Sequence, residues 1–91
     1  MPQTVTIKRP LRRLTNGLET VEVQAETVNE IFNQLEDRFP GIRKKLCGRN
    51  GDLHRFIHVY VDGENIRFLN SLQTVVQDRA VVAIVTTIAG E

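Results

Sequence analysis

The sequence predicts an α+β domain: a mixed sheet of four to five strands with one main helix packed on one face. Three observations carry that prediction. Val28, Ile31, Phe32, Leu35 and Phe39 recur at helical spacing behind a capping box, Thr27-Val28-Asn29-Glu30. Thr4–Lys8 and Leu18–Gln24 read as strands, with Val5, Ile7, Val21 and Val23 at alternate positions. The apolar run Ala80–Val85 reads as a buried strand near the end of the chain. A helix laid across a mixed sheet is one of the few layer arrangements that bury both apolar surfaces.

The first strand turns Val5 and Ile7 to one face, and Pro10 ends it because proline has no N–H to give a ladder. A basic loop follows, with Lys8, Arg9, Arg12 and Arg13, up to a turn at Thr15-Asn16-Gly17, where Asn and Gly tolerate positive φ. Val21 and Val23 face inward from the second strand, so the two strands form a hairpin. In the helix, Thr27 caps the amide three residues on and Glu30 reaches back. Each large apolar side chain that it buries contributes roughly 1.5–3 kcal/mol. Glu36, Asp37 and Arg38 take the wet side, and Pro40-Gly41 ends the helix. Ile42–Cys47 fits a further helical turn, and Gly48-Arg49-Asn50-Gly51-Asp52 a loop. Phe56–Val61 is a strand closed by a tight turn at Asp62-Gly63. Ile66, Phe68, Leu69 and Leu72 read as core, and Val75-Val76 as a short edge strand. The first and last strands can pair in the middle of the sheet. That would lock the final strand while residues 86–91 leave the body as a flexible tail. Residues 1–91 then form a single domain.

Apolar residues make up 41% and charged residues 25%, a globular composition. A net charge of +1 gives no overall field for nucleic acid or membrane, and 5% aromatics leaves few rings to stack on bases. The basic clusters around Lys8–Arg13 and Arg43–Arg49 read as solvated faces or as a seat for an acidic protein partner. Cys47 is the single cysteine, so no internal disulfide can form, which fits a reducing cytoplasm. No apolar stretch nears the ~20 residues of a membrane span. Met1-Pro2-Gln3-Thr4 carries no signal-peptide pattern, and the expected location is the cytoplasm.

No catalytic constellation is visible. His54 and His58 would share one face of a strand, without cysteines or acids at ligand spacing, so no metal is expected. The acids are scattered. Lys44, Lys45 and Arg49 could lower the pKa of Cys47, whereas burial as a small apolar residue would leave it inert.

Taken together, the order strand, strand, helix, strand and final strand with a glycine tail resembles the β-grasp, ubiquitin-like fold. Within it the chain is similar to the small sulfur carriers of the ThiS and MoaD type. Pro10-Leu11-Arg12-Arg13-Leu14-Thr15 looks like that family's loop after the first strand. Leu53–Asp62 and Asn65-Ile66-Arg67-Phe68 look like the CysO-like subgroup, whose carriers feed sulfur into cysteine, and Ile84-Val85 with Ile88-Ala89-Gly90 look like its last strand and tail. The resemblance departs in three places. Family members end Gly-Gly, where this chain has Gly90-Glu91. A Gly-Asp-Glu turn is usual where Arg79-Ala80-Val81 stands, and a proline where Thr86 stands.

The resemblance implies a co-substrate rather than an enzyme. An E1-like adenylating enzyme would use ATP to activate the terminal carboxylate of Gly90, and a sulfur donor would convert the adenylate to a thiocarboxylate. No cofactor is bound by the carrier itself; ATP belongs to the partner. A sulfur-accepting synthase, in the subgroup a cysteine-synthase-like enzyme, would take the sulfur. A metallopeptidase is a candidate for trimming Glu91. Docking through the open apolar side of the sheet and the tail would use Phe68, Leu69, Ile88 and Ala89, with Arg12, Arg13 and Arg67 as rim charges. The carrier is expected to be a monomer.

Glu91 matters physically, because its carboxylate would sit near ATP phosphates. Like charges ~4 Å apart repel by about 1 kcal/mol in water and about 4 at an effective dielectric of 20. The chain ending in Glu91 is therefore expected to be a poor adenylation substrate. Three explanations stay open: a protease removes Glu91, the chain is a degenerate carrier kept for binding, or the natural chain ends differently. A ubiquitin-like protein modifier or non-catalytic interaction module is the alternative function.

Overall fold

The computed structural model describes residues 2–9, 11–48 and 51–86. Among the described residues, five strands and two helices follow one another in the order β1 (Gln3–Ile7), β2 (Thr20–Val23), α1 (Val28–Arg38), α2 (Ile42–Leu46), β3 (Ile57–Val61), β4 (Glu64–Asn65) and β5 (Val81–Thr86). Short 3-10 turns stand at Leu11–Thr15, Ile66–Phe68 and Ser71–Gln73.

The sheet has the order β2-β1-β5-β3-β4. β1 and β5 run parallel at its centre, with Val5 opposite Val82 and Ile7 opposite Ile84, while every other pair is antiparallel. Val5 and Ile7 of β1, Val21 and Val23 of β2, Val59 of β3 and Val82 and Ile84 of β5 are buried in one cluster with Val28, Ile31, Phe32 and Leu35 of α1. That is the expected single layer of helix on sheet, with the expected inward residues.

The start of α1 follows its capping box with one change of partner. Thr27 Oγ1 accepts the N–H of Glu30 at 3.2 Å, but the Glu30 carboxylate reaches past the cap to the N–H of Glu26, also at 3.2 Å. The turns fall where Asn, Asp and Gly allow. Asp62 and Gly63 both have positive φ (50° and 90°), the backbone that a two-residue hairpin between β3 and β4 requires.

Several expectations are corrected. Phe68 and Leu69 are not core: they are 86% and 42% exposed, because the 3-10 turn after β4 sends only Ile66 inward. Val75-Val76 is not a strand. Val75 makes a single bridge with Thr27, and only Val76 is buried. The β3 strand starts at Ile57, so Phe56 lies in the approach to it, and His54 does not share a strand face with His58. The apolar run of β5 is not buried on both sides: Val82 and Ile84 point into the core, whereas Val81 is 51% exposed on the open face. The basic loop holds a 3-10 turn, and β4 adds a short strand at the sheet edge.

Glu36 also departs from the simple wet-side assignment. Its carboxylate accepts the backbone N–H groups of Gly41 (2.9 Å) and Arg43 (3.0 Å), so α1 supplies the cap for the start of α2. The bond from Gly41 and then that from Arg43 hold the carboxyl below its ordinary pKa, with Lys44 and Arg43 adding positive charge nearby. A carboxyl whose folded pKa is lowered stabilises the fold fully above its unfolded pKa, and that contribution is lost as pH falls through the folded value. Glu36→Gln is therefore expected to melt below the parent chain at pH 7, with the gap closing as pH falls below the carboxylate range. Thermal melts of both proteins from pH 7 to pH 3 check this. A gap independent of pH would assign the effect to packing instead.

Candidate functional site

The candidate site lies at the end of the sheet where β5 stops. Thr86, its last residue, still pairs with Ile57 of β3, and the N–H of Lys8 after β1 bonds the carbonyl of Ile84 (3.1 Å). The root of the terminal segment is thus fixed on both sides by ladder bonds. Ile88, Ala89, Gly90 and Glu91, the positions to which the reacting end was assigned, lie outside the described residues.

Two surfaces flank that root. One is the open face of the sheet. There β5 presents Val81, Ala83 and Val85, with Tyr60 of β3 opposite Ala83 and His58 opposite Val85. These residues were not singled out from the sequence because the run 80–85 is apolar at every position, which hides its alternation. Phe68 and Leu69 stand exposed beyond β4.

The second surface is a groove of ≈ 500 Å³ at the end of the sheet where β5 emerges. Leu11, Leu14, Phe56 and Ile57 give it apolar walls. Arg13, Lys44, Lys45 and His54 supply the polar side chains, and Thr86 belongs to its lining. Residues far apart in sequence meet here because the 3-10 turn after β1, α2 and the approach to β3 all converge on this end. Nothing local in the sequence announces that meeting.

The arginines singled out from the sequence divide into two kinds. Arg12 is part of the scaffold: its Nε donates to the carbonyl of Ile7 (2.9 Å) and its Nη2 pairs with Glu19 (3.2 Å). Arg67 is exposed, yet its guanidinium donates to the carbonyls of His54 (2.6 Å) and Arg55 (3.4 Å) and to Nδ1 of His58 (3.0 Å). It therefore clips the approach loop to β3. Arg13 alone of the three points into the groove without such an anchor.

Cys47 is buried, and desolvation raises its thiol pKa despite the nearby Arg43. Of the two readings of Cys47, burial as a small apolar residue is the one observed, since an apolar setting disfavours the thiolate. Among the described residues no three His, Cys, Asp or Glu gather to hold a metal ion. No described helix is long and apolar enough to cross a membrane.

A five-stranded mixed sheet with central parallel termini strands, one main helix across it and the chain leaving from β5 is the ubiquitin-like β-grasp. The chain belongs to the ThiS family, whose model matches residues 5–90. The sulfur carrier protein CysO of Mycobacterium tuberculosis is 35% identical over 92 aligned positions, covering 99% of each chain. A chain in the crystal structure of the Amycolatopsis orientalis BexX/CysO complex superposes with a TM-score of 0.89 at 39% identity, covering 98% of this chain and 99% of that one. The crystal structure of SAMP1 from Haloferax volcanii, at 20% identity and a TM-score of 0.83 over the full length of both, shares the fold alone. These relationships make the chain a CysO-like carrier of the ThiS family rather than an enzyme.

Proposed function

We propose that the chain carries sulfur as a thiocarboxylate on Gly90, formed after removal of Glu91, for cysteine or related thio-metabolite and cofactor biosynthesis in the cytoplasm. The single observation that supports this most is the full-length similarity to CysO, across both the β-grasp body and the terminal strand. The body is suited to the task, because ladder bonds on both flanks fix the point from which the reacting end departs.

In this reading an E1-like enzyme binds the carrier and ATP together. A carboxylate oxygen of Gly90 attacks the α-phosphorus of ATP, forming the acyl-adenylate and releasing pyrophosphate. A hydrosulfide donor then attacks the acyl carbon and expels AMP, leaving a thiocarboxylate and a proton. The carrier contributes no catalytic side chain. Glycine suits the reacting position because it has no Cβ, so its backbone can pass through a channel too narrow for other residues. A synthase then accepts the sulfur. The similar Amycolatopsis chain is seen complexed with BexX, which supports docking of this body on partner proteins.

Intact mass of the protein isolated from its own cells tests the proposal. The expected result is a population lacking Glu91, part of it with one oxygen replaced by sulfur. Unmodified protein retaining Glu91 in every growth condition would overturn it.

A further inference from the structure

We propose that the groove beside Thr86 seats an acidic segment of the activating enzyme, with apolar residues between its carboxylates. The identity of the partner rests on the carrier reading above; the acidic chemistry rests on the groove alone. The walls are apolar on one side, with Phe56 39% exposed, and the polar side chains are basic or imidazole. Among the described residues no acid lines the groove; Arg13 and Lys45 make no ion pair there, while Lys44 also lies near the Glu36 carboxylate of the neighbouring hollow. A carboxylate here would thus meet the uncommitted charge of Arg13 and Lys45, with Lys44 shared with Glu36.

The neighbouring hollow sets the contrast. At ≈ 620 Å³ it is larger, but it includes the carboxylate of Glu36, and its Arg43 is held by Asn29 (2.7 Å) and Asn33 (3.0 Å). Its carboxylate would repel an incoming acid, and its guanidinium is already hydrogen-bonded within the chain. The groove by Thr86 has an unbalanced positive rim around an apolar floor. Opposite charge steers the encounter, and burial of the floor supplies affinity. Its position gives the contact a purpose. Gly90 lies four residues beyond Thr86, so the reacting end lies within ~14 Å of a body held there. Gripping this end would fix the reach of the carboxyl group to the ATP site.

The test uses the full chain labelled with ¹⁵N and two synthetic peptides, acetyl-Glu-Leu-Glu-Leu-Glu-amide and its lysine counterpart. The acidic peptide is expected to shift the amides of Leu14, Lys45, His54 and Ile57 saturably at low salt, and the lysine peptide to leave them in place. The double variant Lys44→Glu, Lys45→Glu should bind the acidic peptide at least tenfold more weakly. Arg13→Glu serves as the second variant should the first lose its dispersed spectrum. Calorimetry against the recombinant activating enzyme without ATP should show the same tenfold loss, and with ATP a raised KM at unchanged kcat.

Absent shifts, or shifts confined to Tyr60, Ala83 and Val85, would overturn the proposal. So would an enzyme affinity unaffected by the charge reversal. Movement of the groove amides with protein concentration alone would assign the groove to a second copy, and movement on Glu91→Gln in free protein to the chain's own terminus. Either overturns the partner assignment. If the peptide seats and the enzyme binds through the groove but never transfers AMP to a chain lacking Glu91, the carrier reading fails and the docking site stands.

Discussion

A chain ending at Ile88 is expected to accept no AMP from the activating enzyme while retaining its fold and its affinity for that enzyme. The loss should be complete rather than graded, because it removes the reacting glycine and puts a β-branched side chain beside the new carboxyl group. Glycine leaves the backbone bare at that point, and isoleucine adds two carbons on Cβ that stiffen and widen it. The body should be spared: the last ladder pair, Ile57 with Thr86, lies before the cut, and so do the described residues of the open sheet face and of the groove. Pyrophosphate release, circular dichroism and calorimetry on one preparation separate the three properties. Adenylation of the Ile88-terminated chain at an undiminished rate would show that another group is activated. Adenylation of the chain ending at Gly90, lost on truncation to Ile88, distinguishes a carrier from a module that works by its surface alone, which accepts no AMP at either length.

The second large effect concerns stability. Gln3 of β1 is buried, with 1% of its surface exposed, and its side-chain amide is fully engaged. Nε2 donates to the carbonyls of Ala25 (2.8 Å) and Gln77 (3.2 Å), and Oε1 accepts the N–H of Ala25 (3.0 Å). One side chain thus ties the sheet to the segment that enters α1 and to the loop before β5. Gln3→Met keeps the length and removes all three bonds, stranding backbone groups in a region of little water. The expected cost is about 2–4 kcal/mol, at about 1–2 kcal/mol for each of the two buried groups of Ala25 left unsatisfied, the bond to Gln77 being only part-buried. Small domains lose roughly 4–8 °C of Tm per kcal/mol, so the melt should fall by ~10–30 °C. A domain of this size has only about 5–15 kcal/mol to lose, so poor accumulation in cells is expected as well. A melt within ~3 °C of the parent would mean that the buried amide bonds add nothing net.

Gln3 also shows where reading the sequence stops. The alternation of β1, with Val5 and Ile7 inward, was legible because apolar residues at alternate positions leave one consistent assignment. The same logic located α1 and the central pairing of the first and last strands. Gln3 lies on the same buried face as Val5, but a glutamine does not declare itself as core. Its partners, Ala25 and Gln77, are far along the chain. Phe68 erred in the opposite direction. A large aromatic in an apolar neighbourhood reads as core, yet the 3-10 turn rotates it outward. Period-based reasoning assumes a regular element, and a three-residue turn provides none.

The site was legible in part. Arg13 was named as a surface charge, and it lies in the groove. Lys44 and Lys45 were noted only as part of a basic cluster, and His54 and Phe56 were placed on a strand they do not join. Their meeting depends on how α2 and the approach to β3 pack against the 3-10 turn. Arg12 and Arg67 have the composition of rim charges, but their guanidinium groups are spent on backbone carbonyls within the chain. Those bonds follow from tertiary placement, which spacing along the chain does not encode.

The most direct measurement is mass spectrometry of the chain lacking Glu91 after incubation with its activating enzyme, ATP and a hydrosulfide donor. Transfer of AMP to the Gly90 carboxyl group, followed by exchange of one oxygen for sulfur, is the expected result, with the Glu91-bearing chain reacting far more slowly. Absence of any adenylate on a folded chain whose Gly90 carboxyl is exposed, with an enzyme proven active on its own carrier, would contradict it.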